Sequence, residues 1–370
     1  MKQLQQIGLL VHSFEMILLL QLLALTIPCS DAAALKLHAT HVDAGRGLTR
    51  CALLQRMAVR TKARAARLLS SGRAASDRVD PGPYTNGVPD TEYLVHLAVG
   101  TPPQPVQLIL DTGSDLVWTH SITTGQLAAD NFTFAAAADG TGRASVPGLA
   151  FGWGLFNNGI FESNETGIAG FSRGALSLPS QLKVDNFSHC FTAISGSEPS
   201  STVLLGLPAD LYSNAGGGVQ STPLIQISSS SLDSYYLSLK GITVGSTRLA
   251  IPESVFVLKE DGSGGTVIDS GTGMTSLPQN AYDIVSFVAQ VGLPVLNSTA
   301  SSLTQLCFMV LVPRGAKPDV PKLVFHFEGA ALDLPRENYI IGNYQQQNMH
   351  VVYDLAGNML SFVPAQCSEL

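Results

Sequence analysis

Apolar residues in this chain recur mostly at alternate positions, in short runs separated by Gly, Pro and Asn. Tyr93–Gly100 and Tyr236–Gly245 alternate in this way, and Leu323–Phe327 and His350–Tyr353 are further strand-like runs. Alternation with a period of two predicts half-buried β-strands. Helical periodicity is confined to the N-terminal region and to residues 281–290. The pattern therefore predicts an all-β fold with many turns.

One strand-and-loop pattern occurs twice. Val106–Leu110 leads into Asp111, Thr112, Gly113 and Ser114, and Thr266–Ile268 leads into Asp269, Ser270, Gly271 and Thr272. An alternating strand precedes each copy, and an apolar-apolar-Gly step follows each, at Ile168–Gly170 and Ile340–Gly342. An internal repeat indicates repeated architecture. We therefore expect two similar β-rich lobes related by a pseudo-twofold axis, each contributing one Asp.

The repeated Asp loops predict a specific chemistry. Facing each other, they would place the carboxylates of Asp111 and Asp269 in one cleft. Two carboxylates at hydrogen-bonding distance cannot both ionise near neutral pH, so one of them keeps a proton. Such a pair is a general acid beside a general base, suited to activating water against a peptide carbonyl. This chemistry needs neither a metal nor a cofactor.

Several stretches outside the loops carry a family resemblance. They are Gly100–Gln104, Thr166–Phe171, Ser177–Leu182 and Ile341–Met349. With the paired loops, they make the chain similar to the pepsin-like aspartic proteases, in particular to the plant nepenthesin-type branch, over roughly residues 90–370. The resemblance implies a bilobal pepsin-like acid protease fold, with lobes at 80–225 and 226–370, a monomeric state, and protein or peptide substrates.

The resemblance also assigns roles within the loops. Ser114 and Thr272 would hydrogen-bond the outer carboxylate oxygens and hold both acids coplanar. Thr112 and Ser270 would tie each loop to the other. Gly113 and Gly271 would permit tight turns and close approach of the backbone. As in aspartic proteases generally, the two acids would share one proton around a single water molecule.

The N-terminus is typical of a targeting signal. A largely apolar run at 16–27 follows Lys2 and precedes small residues around Ala32–Ala34. Because a bilayer span needs about 20 apolar residues, the run predicts a signal peptide over 1–34, and no stable membrane anchor. We expect secretion to the apoplast or delivery to the vacuole. The alternative is a plastid transit peptide, because Arg56–Arg73 is rich in Arg and Ala and lacks acids.

Residues 35–79 are predicted to form a basic, helical pro-segment. Between Lys36 and Arg78 there are ten Lys or Arg and only two acids, whereas the chain from Val79 onward has ten Lys or Arg and 24 acids. The acidic body argues against nucleic-acid binding. We hypothesise that the basic segment lies over the cleft as an intramolecular inhibitor and is released in acid. The alternative is a solvated basic helix without a partner.

The cysteines and sequons fit an oxidising route. Cys29 lies in the signal region and Cys51 in the pro-segment, which leaves Cys190, Cys307 and Cys367. By analogy with the family, Cys190 would pair with Cys367, so Cys307 has no evident partner. Candidate glycosylation sites are Asn131, Asn164, Asn186 and Asn297.

Two apparent deletions separate the chain from its family. Trp118–His120 runs straight into Ser121–Gly125, which resembles sequence after the usual flap, and no Tyr occurs between Asp111 and Tyr212. In the second half Tyr339–Ile340 joins directly to Ile341–Gly342, which skips a strand pair. We expect loss of the flap to lower substrate binding and rate without removing the acid pair.

Three hypotheses follow. The first is an acid aspartic endopeptidase made in inactive form. The second is a catalytically weak or inactive binding protein on the same scaffold, like plant inhibitors of cell-wall glycosidases. The third is a shortened product that does not fold stably. The scattered histidines show no spacing of a zinc site, and Gly262–Gly265 predicts a hairpin turn rather than a phosphate cradle.

Overall fold

The structure is a computed structural model that describes most of the chain. The described residues are 35–49, 52–53, 55–61, 93–119, 124–136, 142–156, 165–194, 200–207, 218–226, 233–290, 321–334 and 343–369. Residues 34–370 form one compact unit, and residues 1–34, where the signal peptide is predicted, lie outside the described residues.

The described residues of the first half of the chain include the following strands and one helix that follows the seventh strand. They are β1 Leu35–His41, β2 Tyr93–Val99, β3 Gln104–Asp111, β4 Trp118–Thr119, β5 Thr124–Ala136, β6 Arg143–Phe156, β7 Gly167–Gly170, α1 Leu178–Leu182, β8 Asn186–Cys190, β9 Ser200–Leu205 and β10 Gln220–Pro223.

In the second half, the part of the chain that the structure describes contains eight strands, one α-helix and two short 3-10 helices. The strands and the helix are β11 Tyr235–Leu237, β12 Leu239–Val244, β13 Thr247–Arg248, β14 Thr266–Ile268, α2 Gln279–Gln290, β15 Leu323–Phe327, β16 Ala330–Leu334, β17 Met349–Asp354 and β18 Met359–Pro364. The 3-10 helices are Glu253–Val255 and Cys367–Glu369. The all-β prediction is confirmed.

Most strands belong to one sheet that runs through both halves of the chain. Its order is β10-β18-β17-β8-β9-β1-β2-β3-β7-β4-β6-β5, while β13-β12-β15-β16 form a second sheet and β11 pairs with β14. β5 also pairs with β2 and β1. The strands β1, β2, β3, β7, β4, β6 and β5 therefore form a closed ring of paired strands.

A strand opens the segment that we expected to be a helical pro-segment. β1 lies between β9 and β2 and pairs with both, with Leu37 and Ala39 fully buried. Among the described residues of this segment, helical structure follows at 52–53 and 55–61. The purely helical expectation is therefore wrong for residues 35–41, because alternating apolar side chains there fit a sheet whose two neighbouring strands come from far along the chain.

Ion pairs fold the N-terminal segment back on itself. Arg60 donates to Asp43 at 2.5 Å and Arg56 donates to the same carboxylate at 3.0 Å. The side chains of Asp43 and Arg60 are completely buried. Burial alone would raise the pKa of Asp43, but the charge and hydrogen bond of Arg60, with the charge of Arg56, lower it below its usual value.

The predicted strand Tyr236–Gly245 is divided between two sheets. Tyr235–Leu237 pairs with β14, whereas Leu239–Val244 pairs with β15. The register shifts between Leu239 and Gly241, and Gly241 has φ +151°, a backbone conformation that a residue with a Cβ rarely adopts. Alternation of apolar residues continues across the break, so the sequence pattern gives no sign of it.

Buried aromatic rings connect strands of the large sheet with one another and with β11. Tyr93 stacks on Phe191 with ring centroids 3.9 Å apart, and Phe187 stacks on Tyr353 at 4.4 Å. Tyr235 packs edge-on against Tyr353 at 4.6 Å. These side chains are fully buried. They join β2, β8, β11 and β17 into one core.

Cys190 and Cys367 form a disulfide across 177 residues of sequence. It fastens the C-terminal 3-10 helix to β8, and both cysteines are about 1% exposed. No helix among the described residues is long and apolar enough to cross a membrane.

Breaking this disulfide should weaken the fold. For Cys190→Ser we expect the free energy of unfolding to fall by about 2–5 kcal/mol, because the unfolded chain regains the freedom of a long loop. Urea unfolding of wild type and variant at one pH measures the difference. Cys307→Ser is the control, since that residue has no predicted partner. Equal stability of Cys190→Ser and wild type would contradict the expectation.

Candidate functional site

The first Asp loop leaves the end of β3. Asp111 is fully buried and pairs with Gly170 of the parallel strand β7. Gly113 donates its N–H to Asp111 Oδ1 at 2.9 Å, and Ser114 Oγ donates to Asp111 Oδ2. Both carboxylate oxygens therefore accept a hydrogen bond from within the loop, which fixes the plane of the carboxylate.

The second Asp loop reproduces this arrangement. It follows β14, and Asp269 is 5% exposed. Gly271 donates its N–H to Asp269 Oδ1 at 2.9 Å, and Thr272 Oγ1 donates to Asp269 Oδ2 at 2.7 Å. The hydroxyl residues that end the two motifs thus make the contact expected from the sequence.

Reciprocal hydrogen bonds join the two loops. Thr112 N donates to Ser270 Oγ at 3.1 Å, and Ser270 N donates to Thr112 Oγ1 at 2.9 Å. Ser270 Oγ also donates to Leu110 O at 3.0 Å. Thr112 and Ser270 are completely buried, so no solvent competes for these bonds. Residues 158 positions apart are held in register.

Gly271 shows how close the two carboxylates lie. A Cβ placed on Gly271 would collide with Asp111 Oδ1 and would lie 3.2 Å from Asp269 Oδ1. The two Oδ1 atoms thus lie on either side of the position that this Cβ would take. They are near enough to each other for one water molecule to hydrogen-bond to both at about 2.8 Å. Any side chain at position 271 would intrude between the acids, which explains why glycine is needed there.

Each loop is supported from behind by a segment of its own half. Phe171 N donates to Asp111 O at 2.8 Å and Ser172 N donates to Ser114 O at 3.0 Å. At the second loop Asn343 N donates to Thr272 O at 2.7 Å, and Asn343 Nδ2 donates to Ser270 O at 3.0 Å. Asn343 lies in the stretch that carried the family resemblance, but nothing in the sequence alone indicates this contact.

Titratable side chains beneath the loops stay neutral. Burial, together with the nearby charge of Asp269, raises the pKa of the Tyr353 phenol. Burial lowers the pKa of His189 to about 3 and that of His350 to about 4. His189 Nε2 donates to Gln346 Oε1 at 2.7 Å, which links β8 to the segment behind the second loop. These histidines are therefore mostly neutral at any pH above their lowered pKa values.

A long hairpin of β5 and β6 follows the position of the first apparent deletion. The Trp118 ring covers Gly125 of β5 and Gly152 of β6, where a Cβ would overlap it. Trp153, on the same hairpin, is 43% exposed. Residues 120–123, where we infer the first deletion, lie outside the described residues. The indole of Trp118 thus packs on backbone.

The remaining predicted residues are distributed over the surface or lie outside the described part. Asn131 sits at an irregularity of β5 and donates Nδ2 to Thr101 Oγ1 at 2.8 Å, and Asn186 Oδ1 accepts from Leu207 N at 2.8 Å. Asn164, Asn297 and Cys307 fall outside the described residues. Within the described residues, no group of His, Cys, Asp and Glu could hold a metal ion.

Comparison with protein families gives two matches. The model "Xylanase inhibitor N-terminal" matches residues 93–121 and 119–207, and "Xylanase inhibitor C-terminal" matches residues 234–340. The first match is broken at 119–121 and the second ends at 340. These are the two positions where the sequence indicates deletions.

Curated relatives are plant aspartic proteases. Aspartic proteinase nepenthesin-1 from Nepenthes gracilis is 36% identical over 406 aligned positions, covering 88% of this chain and 89% of the relative. Aspartyl protease family protein 2 from Arabidopsis thaliana is 30% identical, covering 80% and 76%. The nepenthesin-1 alignment is longer than this 370-residue chain, so the alignment needs gaps where the relative has residues that the chain lacks.

Solved structures share the fold at low sequence identity. The structure titled "Crystal structure of edgp" has a TM-score of 0.64 at 15% identity, covering 91% of this chain and 96% of that chain. Basic 7S globulin from soybean has a TM-score of 0.58 at 16% identity, covering 75% and 95%.

Loss of the Thr112 hydroxyl should weaken the junction of the loops. In Thr112→Val the buried N–H of Ser270 has no acceptor, which costs about 1–3 kcal/mol of unfolding free energy. Thr112→Ser keeps the hydroxyl and should lose less. Thermal and urea unfolding of the three proteins tests this. Destabilisation by Ser but not by Val would show that packing of the methyl group, and not the hydrogen bond, matters.

Proposed function

This chain belongs to the plant family of pepsin-like aspartic proteases, and from that premise we propose that it is an aspartic endopeptidase acting at acid pH. It hydrolyses peptide bonds with a water molecule activated between Asp111 and Asp269. The observation that supports the proposal most is the juxtaposition of two complete Asp loops, with both Oδ1 atoms beside Gly271. Relatives at 30–36% identity carry protease names.

The proposed reaction uses the shared proton of the pair. The ionised carboxyl group takes a proton from the water molecule as the water oxygen attacks the peptide carbonyl carbon. The protonated carboxyl group gives its proton to the carbonyl oxygen, which yields a tetrahedral intermediate. Collapse of that intermediate transfers a proton to the leaving nitrogen and breaks the C–N bond. Hydrogen bonds from Ser114 and Thr272 hold the carboxylates in place throughout.

A binding or inhibitor protein of the plant cell wall remains the alternative. The matched family models are described as xylanase inhibitor domains. The apparent loss of the flap favours weak catalysis, because the cleft then excludes water less well. Both Asp loops are nevertheless complete and correctly hydrogen-bonded, and a protein that only binds has no need of that. The enzyme is therefore our first choice, with a rate lowered by the shortened cleft.

Removing either acid should abolish acid proteolysis. For Asp111→Asn or Asp269→Asn we expect the rate of casein or haemoglobin cleavage to fall by about 10²- to 10⁴-fold, because acid–base catalysis is lost. Cleavage by wild type should also be blocked by pepstatin. Asp261→Asn is the control, since Asp261 lies in an exposed turn. Activity that survives both substitutions and pepstatin would mean that another site acts, and no wild-type activity would favour the binding protein.

We further propose that the N-terminal basic segment restrains the enzyme until acid releases it. Thr61 Oγ1, next to the buried Arg60, accepts from Met274 N at 2.8 Å, two residues beyond Thr272 of the second loop. The segment therefore reaches the edge of the site. Its conformation depends on the buried pair of Asp43 and Arg60.

The charge state of Asp43 sets the pH of release. Because the folded-state pKa of Asp43 lies below 3.8, the pairing contributes stability that is fully present above that value. The stability is lost as pH falls through the lowered pKa. Wild type should thus retain its segment near neutral pH and release it only in strong acid.

Asp43→Asn should move release to higher pH. Asn cannot neutralise Arg60, and removing one partner of a buried ion pair costs about 3–5 kcal/mol. Incubation of the purified full chain between pH 3 and 7, followed by gels and activity, measures shortening and unmasking. Asp77→Asn, the other acid of the segment, is the control. The same release pH in Asp43→Asn and wild type would contradict the assignment.

We also propose entry into the secretory pathway, with the apoplast or the vacuole as destination and the plastid as the alternative. The disulfide Cys190–Cys367 supports an oxidising compartment. The apolar run at 16–27 would act as the signal. A monomeric enzyme that acts on protein or peptide substrates needs no other partner.

A further inference from the structure

The two Asp loops have a second connection away from their reciprocal hydrogen bonds. It starts at Phe171, whose N–H donates to Asp111 O at 2.8 Å. The carbonyl of the same residue accepts a hydrogen bond from Tyr235 Oη at 2.8 Å. Tyr235 belongs to β11 and pairs with Ile268, the residue before Asp269. A short path of hydrogen bonds thus runs from one acid to the other.

The segment behind the first loop has no room to move independently. A Cβ on Gly170 would lie 2.8 Å from Ser114 O and closer still to Asp115 O. Ser172 N donates to Ser114 O at 3.0 Å. Displacement of Phe171 therefore displaces the first loop with it.

Arg173 fastens the same segment to the second half of the chain. Its N–H donates to Asp233 O at 2.8 Å, two residues before Tyr235. Its guanidinium donates to Ile225 O at 3.2 Å and to Asn358 Oδ1 at 2.9 Å. These contacts hold the start of β11 against the segment. The Tyr235 hydroxyl is therefore kept at hydrogen-bonding distance from Phe171 O.

Tyr235 is suited to a permanent hydrogen bond. It is fully buried, and its ring packs between Phe187 and Tyr353, with centroids 6.0 and 4.6 Å away. Burial raises its pKa well above the usual value, so the phenol keeps its proton as donor. Loss of the hydroxyl alone would leave the ring in place and the Phe171 carbonyl without this donor.

We propose that Tyr235 is a positioning residue that sets the separation of Asp111 and Asp269. The proposal rests on the proposed function, because it concerns the same acid pair. Tyr235 touches neither acid. It acts through Phe171 on the first loop and through β14 on the second. Tyr235 thus fixes the spacing at the edge of the contact between the two loops, whereas Thr112 and Ser270 fix the spacing at the centre of that contact.

The separation of the two carboxyl groups has a measurable signature. The pair loses its protons in two steps, and the interval between the two apparent pKa values grows as the groups approach. A looser pair should titrate with a narrower interval. A variant that is merely less stable would contain fewer folded molecules but would keep the interval.

The test compares Tyr235→Phe with wild type, with Tyr236→Phe as the control because it removes a phenol from the next position of the same strand. Carboxyl carbon NMR of the full chain, with Asp111→Asn and Asp269→Asn used for assignment, follows both titration steps without requiring activity. We expect the interval to narrow in Tyr235→Phe alone. In the cleavage assay we expect kcat to fall about tenfold with KM unchanged, and the acid and alkaline limbs of the pH profile to approach each other.

An unchanged interval in Tyr235→Phe would overturn the proposal, whatever its rate. A narrowing of the same size in Tyr236→Phe would also overturn it, because the effect would then come from loosening of β11 as a whole. If wild type cleaves nothing while the interval narrows only in Tyr235→Phe, the positioning role stands and the proposed catalysis fails.

Discussion

Everything at the site depends on keeping two acidic groups side by side in a place that water hardly reaches. Like charges repel there, so geometry has to be imposed by neutral contacts. Thr112 and Ser270 provide them through reciprocal bonds between side-chain hydroxyls and main-chain N–H groups. These contacts carry no charge and do not titrate, so acid leaves them intact. The low pKa values of His189 and His350 act in the opposite direction, because an unfolded histidine binds a proton below its ordinary pKa of 6.5 whereas these two do so only at lower pH, so acid removes stability from the core underneath.

Much of this arrangement could be predicted from the sequence because its determinants are local. Alternating apolar residues indicate strands such as β2 and β15, and the repeated motif indicates the two loops with their supporting hydroxyl groups. The contribution of β1 could not be predicted, since its partners β9 and β2 lie far along the chain and nothing near residue 35 specifies them. The roles of Asn343 and Tyr235 could not be predicted either, because each depends on carbonyl groups presented by a distant part of the backbone.

The chain combines an intact reaction centre with a reduced covering. Both loops retain every hydrogen bond that orients the acids, yet the family match is interrupted at 119–121 and ends at 340. Catalytic geometry and substrate enclosure are thus separable in this fold, because the acids are held from below by β3, β14 and the backing segments, whereas a flap would act from above. In the shortened region, the Trp118 ring packs against the backbone of Gly125 and Gly152.

The Cys190–Cys367 bond has a topological effect as well as an energetic one. It closes residues 190–367 into a covalent ring, with the two cysteines 177 positions apart in the sequence, and Asp269 lies inside that ring. A backbone cut at any one point between the two cysteines opens the ring without detaching either fragment. A molecule exposed to proteases, including further copies of itself, could therefore be cut once within residues 191–366. Both acids would still belong to one covalently joined molecule.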